Sequence, residues 1–282
     1  YFNSKNIMIN FIKILRPINL FITLICILLS SLIIDDLSYS LIPFIIAILC
    51  LVGFSNILND IFDYQIDAAN NLERPISSGA IKHWHAIIYC IALLCTSLFM
   101  IFNYNFNSLT RYLILFINLP LIIFYTPIFK KIALLGNIIV SFILSMVFIV
   151  TTTYLNGDIA LIIPPALLAF LLMLIRELVK DIADLEGDKQ FNIHTFPVKF
   201  GIQTTFKVII FISFLLISIA LYFTTLYNMR YFISLLLFVV LPLIYHLYEF
   251  SKNKTATYCI YLAKALKLIT IFGVIVIYLA TI

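Results

Sequence analysis

The stretch Asn56-Ile-Leu-Asn-Asp-Ile-Phe-Asp-Tyr-Gln-Ile-Asp67 places amide and carboxylate side chains three or four residues apart in a chain that is otherwise strongly apolar. Residues at that spacing lie on one face of an α-helix. The predicted polar face consists of Asn56, Asn59, Asp60, Asp63 and Asp67. Like charges on one helix face repel each other and weaken the helix unless cations lie between them. The stretch therefore predicts a helical segment that binds positive charge.

A second acidic stretch runs from Arg176 to Asp188 and reads Arg-Glu-Leu-Val-Lys-Asp-Ile-Ala-Asp-Leu-Glu-Gly-Asp. Its predicted acidic face consists of Glu177, Asp181, Asp184 and Asp188. Together with Glu73, the two stretches contain nine of the 13 acidic residues of the chain. Carboxylate oxygens are hard ligands and no Cys or His is paired with them, so the pattern predicts Mg²⁺ and not zinc. On spacing alone, Asp60 and Asp181 are as good candidate ligands as the other carboxylates.

The composition of the chain defines its class. Hydrophobic residues make up 63% of the 282 residues and charged residues only 11%, with a mean hydropathy of +1.13. These values predict an all-α integral membrane protein. Because nearly the whole chain consists of spans and short connections, we expect residues 1–282 to form one domain. The basic residues lie beside the spans and form no basic run, so no nucleic-acid partner is expected, and no obligate protein partner is evident.

The apolar segments give the number of membrane spans. A hydrocarbon core of ~30 Å requires about 20 apolar residues per helix. The nine predicted spans are residues 18–34, 39–58, 86–102, 109–127, 134–154, 159–178, 205–226, 231–248 and 263–282. The two longest connections, residues 59–85 and 179–204, carry most of the acidic residues. The sequence thus predicts nine transmembrane helices with Asp-rich loops at one membrane face.

The distribution of Lys and Arg predicts the orientation of these spans. All of the 18 basic residues except Arg111 and Arg230 fall on the side of the acidic stretches. Positive charges concentrate on the cytoplasmic side of membrane proteins. We therefore expect a multi-pass protein of the cell membrane with both acidic stretches facing the cytoplasm.

Two carboxylate clusters at one membrane face suit Mg²⁺ ions that clamp a highly negative ligand, for which a diphosphate is the natural candidate. Basic side chains on the same side would hold the remaining phosphate oxygens. The candidates are Arg16, Arg74, Lys82, Lys130, Lys131, Arg176 and Lys180. Intramembrane acids and repeats also occur in secondary transporters, which are the alternative from another class. Transporter sites lie near the membrane midplane, whereas these acids lie at span ends, which favours an enzyme.

Three motifs resemble those of the UbiA-type intramembrane prenyltransferases. They are Asn59-x-x-x-Asp63-x-x-x-Asp67, the following Arg74-Pro-Ile-Ser-Ser-Gly79, and Lys180-Asp-Ile-Ala-Asp184-Leu-Glu-Gly-Asp188 with His194-Thr-Phe-Pro197 after it. The resemblance covers nearly the whole chain. It implies a helical ring around a central cavity open sideways to lipid, Mg²⁺ held by the two Asp motifs, and a polyprenyl diphosphate donor.

The resemblance also implies roles for individual residues by motif position. The implied metal ligands are Asn59, Asp63 and Asp67 in one cluster and Asp184 and Asp188 in the other. The four carboxylates of this set are expected to be essential for catalysis. Tyr125 and Lys131 match the Tyr-(Ser/Thr)-Pro segment and the basic pair that follow the fourth span in this family, and are expected to touch the diphosphate.

The sequence of the second acidic stretch indicates the acceptor. Residues 176–188, with Leu15-Arg-Pro-x-Asn19 near the start, are most similar to the branch that transfers geranylgeranyl to a glycerol phosphate ether and makes digeranylgeranylglyceryl phosphate. Homogentisate and chlorophyll-type prenyltransferases carry a related second motif, so aromatic acceptors of the 4-hydroxybenzoate, naphthoate or homogentisate type are the alternative. The expected partners are a polyprenyl diphosphate donor, a lipid-soluble or amphiphilic acceptor, and membrane lipids.

Overall fold

Helices account for most of the chain in the structure, a computed structural model that describes residues 4–70 and 73–281, with side chains for residues 8–70 and 73–280. The α-helices are α1 (Ser4–Ile14), α2 (Pro17–Ile34), α3 (Leu41–Ala69), α4 (His83–Asn103), α5 (Ser108–Tyr112), α6 (Leu119–Tyr125), α7 (Leu135–Tyr154), α8 (Ile159–Ala183), α9 (Leu185–Gln190), α10 (Phe196–Tyr222), α11 (Met229–Leu235), α12 (Leu241–Lys252) and α13 (Ala256–Thr281). These residues form no strand, only an isolated bridge between Ile132 and His194. The predicted all-α class is confirmed.

Nine helical stretches in the described ranges are long and apolar enough to cross a membrane. They are α2, α3, α4, α5 with α6, α7, α8, α10, α11 with α12, and α13. Large apolar side chains such as Phe116, Phe211 and Phe214 are exposed on the outer surface, as expected for helices that face lipid. The prediction of a nine-span membrane protein is confirmed.

Two of the spans change their winding shortly before a proline. Leu113–Asn118 and Leu236–Val240 are π-helical, and Pro120 and Pro242 each follow two residues later. Proline has no N–H, and its ring clashes with the carbonyl of the preceding turn, so that turn widens instead of continuing as α-helix. These turns join α5 to α6 and α11 to α12 into single spans.

Most of the acidic residues lie on helices and not in loops, which corrects that part of the prediction. α3 continues to Ala69 instead of ending at residue 58, and α8 continues to Ala183. A hydropathy window ends at the first charges, but here the charges are buried on one inner face, so the helix continues through them. α3 has 29 residues, which corresponds to about 44 Å and places its acidic end at the edge of a ~30 Å hydrocarbon core.

The start of α10 also differs from the predicted start at residue 205. The helix begins at Phe196 but bends at Gly201, where φ is 80°. Glycine adopts this left-handed conformation without the clash that a Cβ would cause. The first turn is therefore a separate short segment, and the straight part of the span begins near the predicted residue.

Two large apolar clusters form the walls of the bundle. One is built from α8 and α10–α13 around Ile175, Leu178 and Phe250, and the other from α3–α7 around Phe44 and Ile114. α2, α3, α6, α7 and α8 line a cavity inside the bundle. The acidic ends of α3 and α8 form one end of this cavity, so the fold brings together two stretches that are more than 100 residues apart in the sequence.

Candidate active site

The two acidic stretches touch each other directly. The backbone N–H of Gly187 in α9 donates a hydrogen bond of 3.0 Å to Oδ1 of Asn70, the residue that ends α3. A Cβ at position 187 would lie 2.3 Å from that oxygen, so only glycine permits this approach. The contact fixes the end of α3 against the segment that carries Asp184 and Asp188.

The first acidic face is buried and turned toward the interior. Asn56, Asp60, Asp63 and Asp67 are each more than nine-tenths buried, and Asn59 is partly buried. Thr126, which follows α6, donates a short hydrogen bond to Asn59. The residues that the helical spacing predicts to share one face therefore do so.

Basic side chains neutralise this face. Arg16 and Arg74 both pair with Asp60, and the Arg74–Asp60 distance is 2.9 Å. Arg74 also lies 2.9 Å from Oδ2 of Asp67, and Lys130 lies 2.6 Å from Oδ2 of Asp63. The like charges that would weaken the end of α3 are thus separated by cations from three different segments.

Arg16 reaches Asp60 from an unusual backbone conformation. It lies between α1 and α2 with φ of 54°, in the left-handed region. A residue with a Cβ in this region costs about 1 kcal/mol or more. The turn that causes this strain directs the guanidinium toward the acidic end of α3, so the ion pair with Asp60 offsets part of the cost.

The second acidic face is held by a different set of partners. Arg176 and Lys180 both pair with the buried Glu177, and the Lys180–Glu177 distance is 2.8 Å. Asn137 Nδ2 donates to Asp181 over 2.8 Å. Thr195 donates to Asp188 over 3.1 Å, whereas the Asp184 carboxylate makes no ion pair within the described ranges.

These side chains form one end of a cavity of about 1430 Å³, including its open part. The polar end is lined by Arg16, Asn59, Asp63, Asp67, Arg74, Tyr125, Lys130, Arg176, Glu177, Lys180, Asp181, Asp184 and Asp188. The opposite end is apolar and is lined by Ile48, Leu51, Val52, Ile122, Ile143, Val147 and Val150. Along α3, Ile48 and Asp63 are 15 residues apart, so the cavity extends about 22 Å along the helix axis. Its shape and polarity suit an amphiphile with a charged head and a long apolar chain.

Three predicted residues lie outside this cavity. Asp60 is buried beneath Arg16 and Arg74 and does not reach the cavity wall. Lys131 is exposed, because successive residues of the tight turn Phe129–Lys131 point in different directions, and only Lys130 turns inward. Lys82 also lies outside the lining.

Several lining residues were not singled out from the sequence. Asn118 and Asn70 line the cavity, and Asn137 holds Asp181 from α7. An asparagine in an apolar span costs free energy unless its amide makes hydrogen bonds or binds a ligand. The presence of an amide in an apolar span was the only sequence signal for Asn118 and Asn137.

The donor set matches a hard divalent ion. Within residues 8–70 and 73–280, no three His, Cys, Asp or Glu side chains are close enough to bind one metal. Four carboxylates on α3, α9 and the turn before α9 nevertheless line the same cavity, and Oδ2 of Asp67 is buried without a hydrogen bond despite its proximity to Arg74. All these donors are oxygens, the ligand type that Mg²⁺ prefers. A metal at Asp63 or Asp67 would replace their ion pairs with Lys130 and Arg74.

Burial changes the protonation of the groups outside the spans. It raises the pKa of Asp188 to about 6, against the opposing effect of Lys130, and it also raises the pKa of Asp184. Burial lowers the pKa of Arg74, but Asp67 and Asp60 outweigh it and the net pKa is raised. The same balance, with Asp63 as the main partner, raises the pKa of Lys130. The cations therefore stay charged, while Asp188 titrates near pH 6.

Comparison with known proteins gives consistent matches along most of the chain. The model of the UbiA prenyltransferase family matches residues 19–279. The digeranylgeranylglyceryl phosphate synthase of Methanothermobacter thermautotrophicus is 33% identical over 208 residues, which are 74% of this chain and 72% of that protein. The synthase of the same name from Methanosphaera stadtmanae is 30% identical over 229 residues, 80% of this chain and 83% of that protein.

The fold is shared with a solved protein. A UbiA homologue from Archaeoglobus fulgidus, bound to DMAPP and Mg²⁺, superposes with a TM-score of 0.70 over 95% of this chain and 99% of that chain. The two sequences are 20% identical, so this likeness concerns the fold.

Proposed function

Because the chain belongs to the UbiA prenyltransferase family, we propose that this membrane prenyltransferase transfers a geranylgeranyl group from its diphosphate to geranylgeranylglyceryl phosphate. Two relatives that carry the name of this synthase support the choice of substrates. Family membership indicates an enzyme and not a secondary transporter. The family match over residues 19–279 also supports treatment of residues 1–282 as one domain.

One observation carries the proposal: the cavity has a charged end and an apolar end. The charged end combines Lys130, Arg74 and Arg176 with carboxylates, and the apolar end reaches Ile48 and Val150. A prenyl diphosphate has the same division between a head of high negative charge and a long hydrocarbon chain. Burial of the chain stabilises the complex by about 25 cal/mol per Å² of apolar surface.

In this proposal the head of the donor is held by basic side chains. Arg16, Arg74 and Arg176 offer bidentate hydrogen bonds to phosphate oxygens, and Lys130 and Lys180 act as point charges. Each of these cations already has a carboxylate partner, so a bound diphosphate would compete with Asp or Glu for the same donors. Tyr125 lies at the same end and is positioned to touch the head or the first carbons of the chain.

The proposed metal ligands are Asn59, Asp63 and Asp67 on α3 and Asp184 and Asp188 on the second stretch, with Asp60 and Asp181 as outer partners. When bound, Mg²⁺ neutralises the charge that develops on a leaving diphosphate. Asp60 and Asp181 already have buried partners in Arg16, Arg74 and Asn137, which suits them to holding the neighbouring side chains in place. Release of Asp63 and Asp67 from Lys130 and Arg74 would free both the carboxylates and the cations for their ligands.

The reaction that follows breaks one carbon–oxygen bond and forms another. The bond between the allylic carbon and the diphosphate breaks, and its electron pair leaves with the diphosphate. The hydroxyl oxygen of the acceptor bonds to the same carbon and gives up its proton to an oxygen of the leaving diphosphate, which yields an ether. Ile122 and Val147 line the cavity, and their apolar side chains would help to keep water from capturing the allylic cation.

We propose that this chemistry takes place at the cytoplasmic face of the cell membrane. The ends of α3 and α8 lie on the side where Lys and Arg accumulate along the sequence. Both substrates would then enter from the same compartment or laterally from the membrane.

The test is a transfer assay with purified protein, geranylgeranyl diphosphate and Mg²⁺. The acceptors are geranylgeranylglyceryl phosphate, 4-hydroxybenzoate, a hydroxynaphthoate and homogentisate, each in a separate reaction analysed by mass spectrometry. We expect the ether product with geranylgeranylglyceryl phosphate and a much slower reaction with the aromatic acids. Preference for an aromatic acid would establish the alternative acceptor class, and no product with any acceptor would refute the proposed activity.

A further inference from the structure

A second pocket adjoins the main cavity and contains Lys267, a cation that the proposed donor site leaves unused. It encloses about 560 Å³, including its open part. Arg176, Leu144, Val147 and Asn19 line both this pocket and the main cavity, so the two spaces meet at those side chains. The other polar residues of the second pocket are Thr23, Lys267 and Thr270. Its lining contains two cations and no acidic side chain.

Lys267 is the less expected of these two cations. It lies in the membrane span α13, and its Nζ donates a hydrogen bond of 2.8 Å to Oδ1 of Asn19. Within the described ranges it makes no ion pair. A cation inside a span is costly and is retained mainly where it binds something. A neutral amide does not balance its charge, so the pocket attracts an anion.

Arg176 adds to this excess of positive charge. One end of its guanidinium pairs with Glu177, but Glu177 is shared with Lys180, so one carboxylate faces two cations. The Nε of Arg176 is buried and has no hydrogen-bond partner within the part of the chain that the structure describes. A buried donor without a partner destabilises the protein, and an anionic ligand would satisfy it.

The second pocket continues into an apolar pocket of about 550 Å³. The two share Cys26, Phe148, Ala169 and Thr270, and the apolar pocket extends past Gly273 to Ile277 on α13. From Lys267 to Ile277 the helix advances ten residues, about 15 Å. The combined space has cations at one end and an apolar body, and Phe148 and Cys26 do not line the main cavity. Its shape and polarity therefore suit a second amphiphile beside the first.

We propose that this second site, defined by Arg176, Lys267 and the apolar pocket around Gly273, binds the acceptor as a lipid with a phosphate monoester head. The inference rests on the proposed function, because the occupant is the acceptor of that reaction. The phosphate lies at Arg176 and Lys267, and the chain fills the apolar pocket while the donor chain fills the separate apolar end near Ile48. The heads of the two lipids meet at Arg176, which brings the acceptor hydroxyl next to the donor. A small aromatic acid would leave the apolar pocket empty.

The first experiment measures binding without turnover. The full chain in detergent micelles, with EDTA and without donor, is titrated with geranylgeranylglyceryl phosphate. Lys267→Met should weaken binding by about tenfold or more, because a charge-assisted hydrogen bond is lost. Lys267→Arg should bind within a few-fold of wild type. Lys264→Met, an exposed position on the same helix, is the matched control and should stay within about twofold.

Two further ligands and one variant distinguish binding of the phosphate head from binding of the apolar chain. Geranylgeranylglycerol, which lacks the phosphate, should bind equally to wild type and Lys267→Met. A Cβ at position 273 would have no neighbouring atom closer than 3.9 Å, so the side chain of Gly273→Leu should fill the apolar pocket. This variant should bind geranylgeranylglyceryl phosphate at least severalfold more weakly than wild type. Its binding of glycerol 1-phosphate should be unchanged. Competition by phosphatidylglycerol at equal affinity would identify a site for bilayer phospholipid and overturn the proposal.

The binding experiments and the transfer assay can fail separately. Binding that is unchanged in both Lys267→Met and Gly273→Leu refutes the acceptor site even if the enzyme transfers geranylgeranyl. Binding that depends on both residues, in a protein that transfers nothing, refutes the proposed activity and leaves this site intact.

Discussion

Asn70, which ends α3, accepts a hydrogen bond of 3.0 Å from the backbone N–H of Gly187 in α9. This contact joins the two acidic stretches on the cavity side of the protein, and it tolerates no side chain at position 187. The carboxylates of α3 and α9 face one cavity because their two segments approach this closely. The first prediction tests that approach.

We expect Gly187→Ala to lower the free energy of unfolding by about 1–3 kcal/mol, because the new methyl group overlaps Asn70 and displaces its hydrogen bond. Denaturant unfolding in micelles measures the change. In an Asn70→Ala background the same substitution should cost much less, since the overlapping atoms are gone. Gly273→Ala, with open space at its Cβ, controls for the effect of the residue type on a helix. Equal losses with and without Asn70 would contradict this account.

The second prediction separates catalytic from structural carboxylates. Asp63→Asn and Asp188→Asn each remove a charge at the cavity wall, and we expect each to reduce kcat by about 10²-fold, by analogy with loss of one group that stabilises a polarised transition state. Asp60→Asn removes the shared partner of Arg16 and Arg74 outside the cavity. It should reduce kcat less but lower the free energy of unfolding by about 1–3 kcal/mol. Near wild-type kcat in both Asp63→Asn and Asp188→Asn would refute the metal assignment.

The third prediction compares two adjacent lysines. Lys130 is partly buried and paired with Asp63, whereas Lys131 is exposed, although family motif position favours Lys131. Lys130→Met should raise the KM for geranylgeranyl diphosphate by about tenfold or more through loss of a charge-assisted contact. Lys131→Met should change it by about twofold or less. The reverse order would mean that the turn at Phe129–Lys131 rotates when the donor binds.

The fourth prediction concerns orientation. Single cysteines at exposed Ser78 and Lys189 lie beside the acidic ends, and one at exposed Thr225 lies at the opposite end of α10. In intact cells with the native cysteines replaced, a membrane-impermeant maleimide should label only Thr225→Cys. After permeabilisation it should label all three. Labelling of Ser78→Cys from outside the cell would reverse the proposed topology.

Much of the fold followed from periodicity and hydropathy. Nine apolar segments predicted nine spans, and the spacing of Asn56, Asp60, Asp63 and Asp67 predicted one shared face, because both depend only on local helix geometry. The predicted span ends at residues 58 and 178 were wrong, because the prediction used only local sequence. A hydropathy scale treats every carboxylate as exposed, whereas these are buried against cations from distant segments.

The partners of each carboxylate were beyond sequence reasoning. Lys130 and Lys131 have equal charge and adjacent positions, and only the path of the turn decides which one meets Asp63. The same holds for Lys267, which sits among apolar residues at the far end of the chain and reaches Asn19 near its start. Long-range contacts of this kind depend on helix packing, for which one sequence carries no direct signal.

The last prediction concerns pH and metal. Burial raises the pKa of Asp188 to about 6, whereas an unfolded Asp has a pKa of about 3.9. The folded, metal-free protein therefore holds this proton more tightly than the unfolded chain. The resulting contribution to stability is complete below a pH of about 4 and is lost as the pH rises through about 6.

Mg²⁺ requires the opposite protonation state, because a carboxylate must lose its proton to bind metal. We expect Mg²⁺ to raise the unfolding temperature only slightly at about pH 5 and clearly at about pH 7, as Asp188 loses its proton between them. In Asp188→Asn the metal effect should be small at both values, since the titrating ligand is gone. If Asp188 binds the metal, its proton must leave first, so the Mg²⁺ effect must depend on pH. An equal Mg²⁺ effect on the wild-type protein at both pH values would therefore show that Asp188 does not control metal binding.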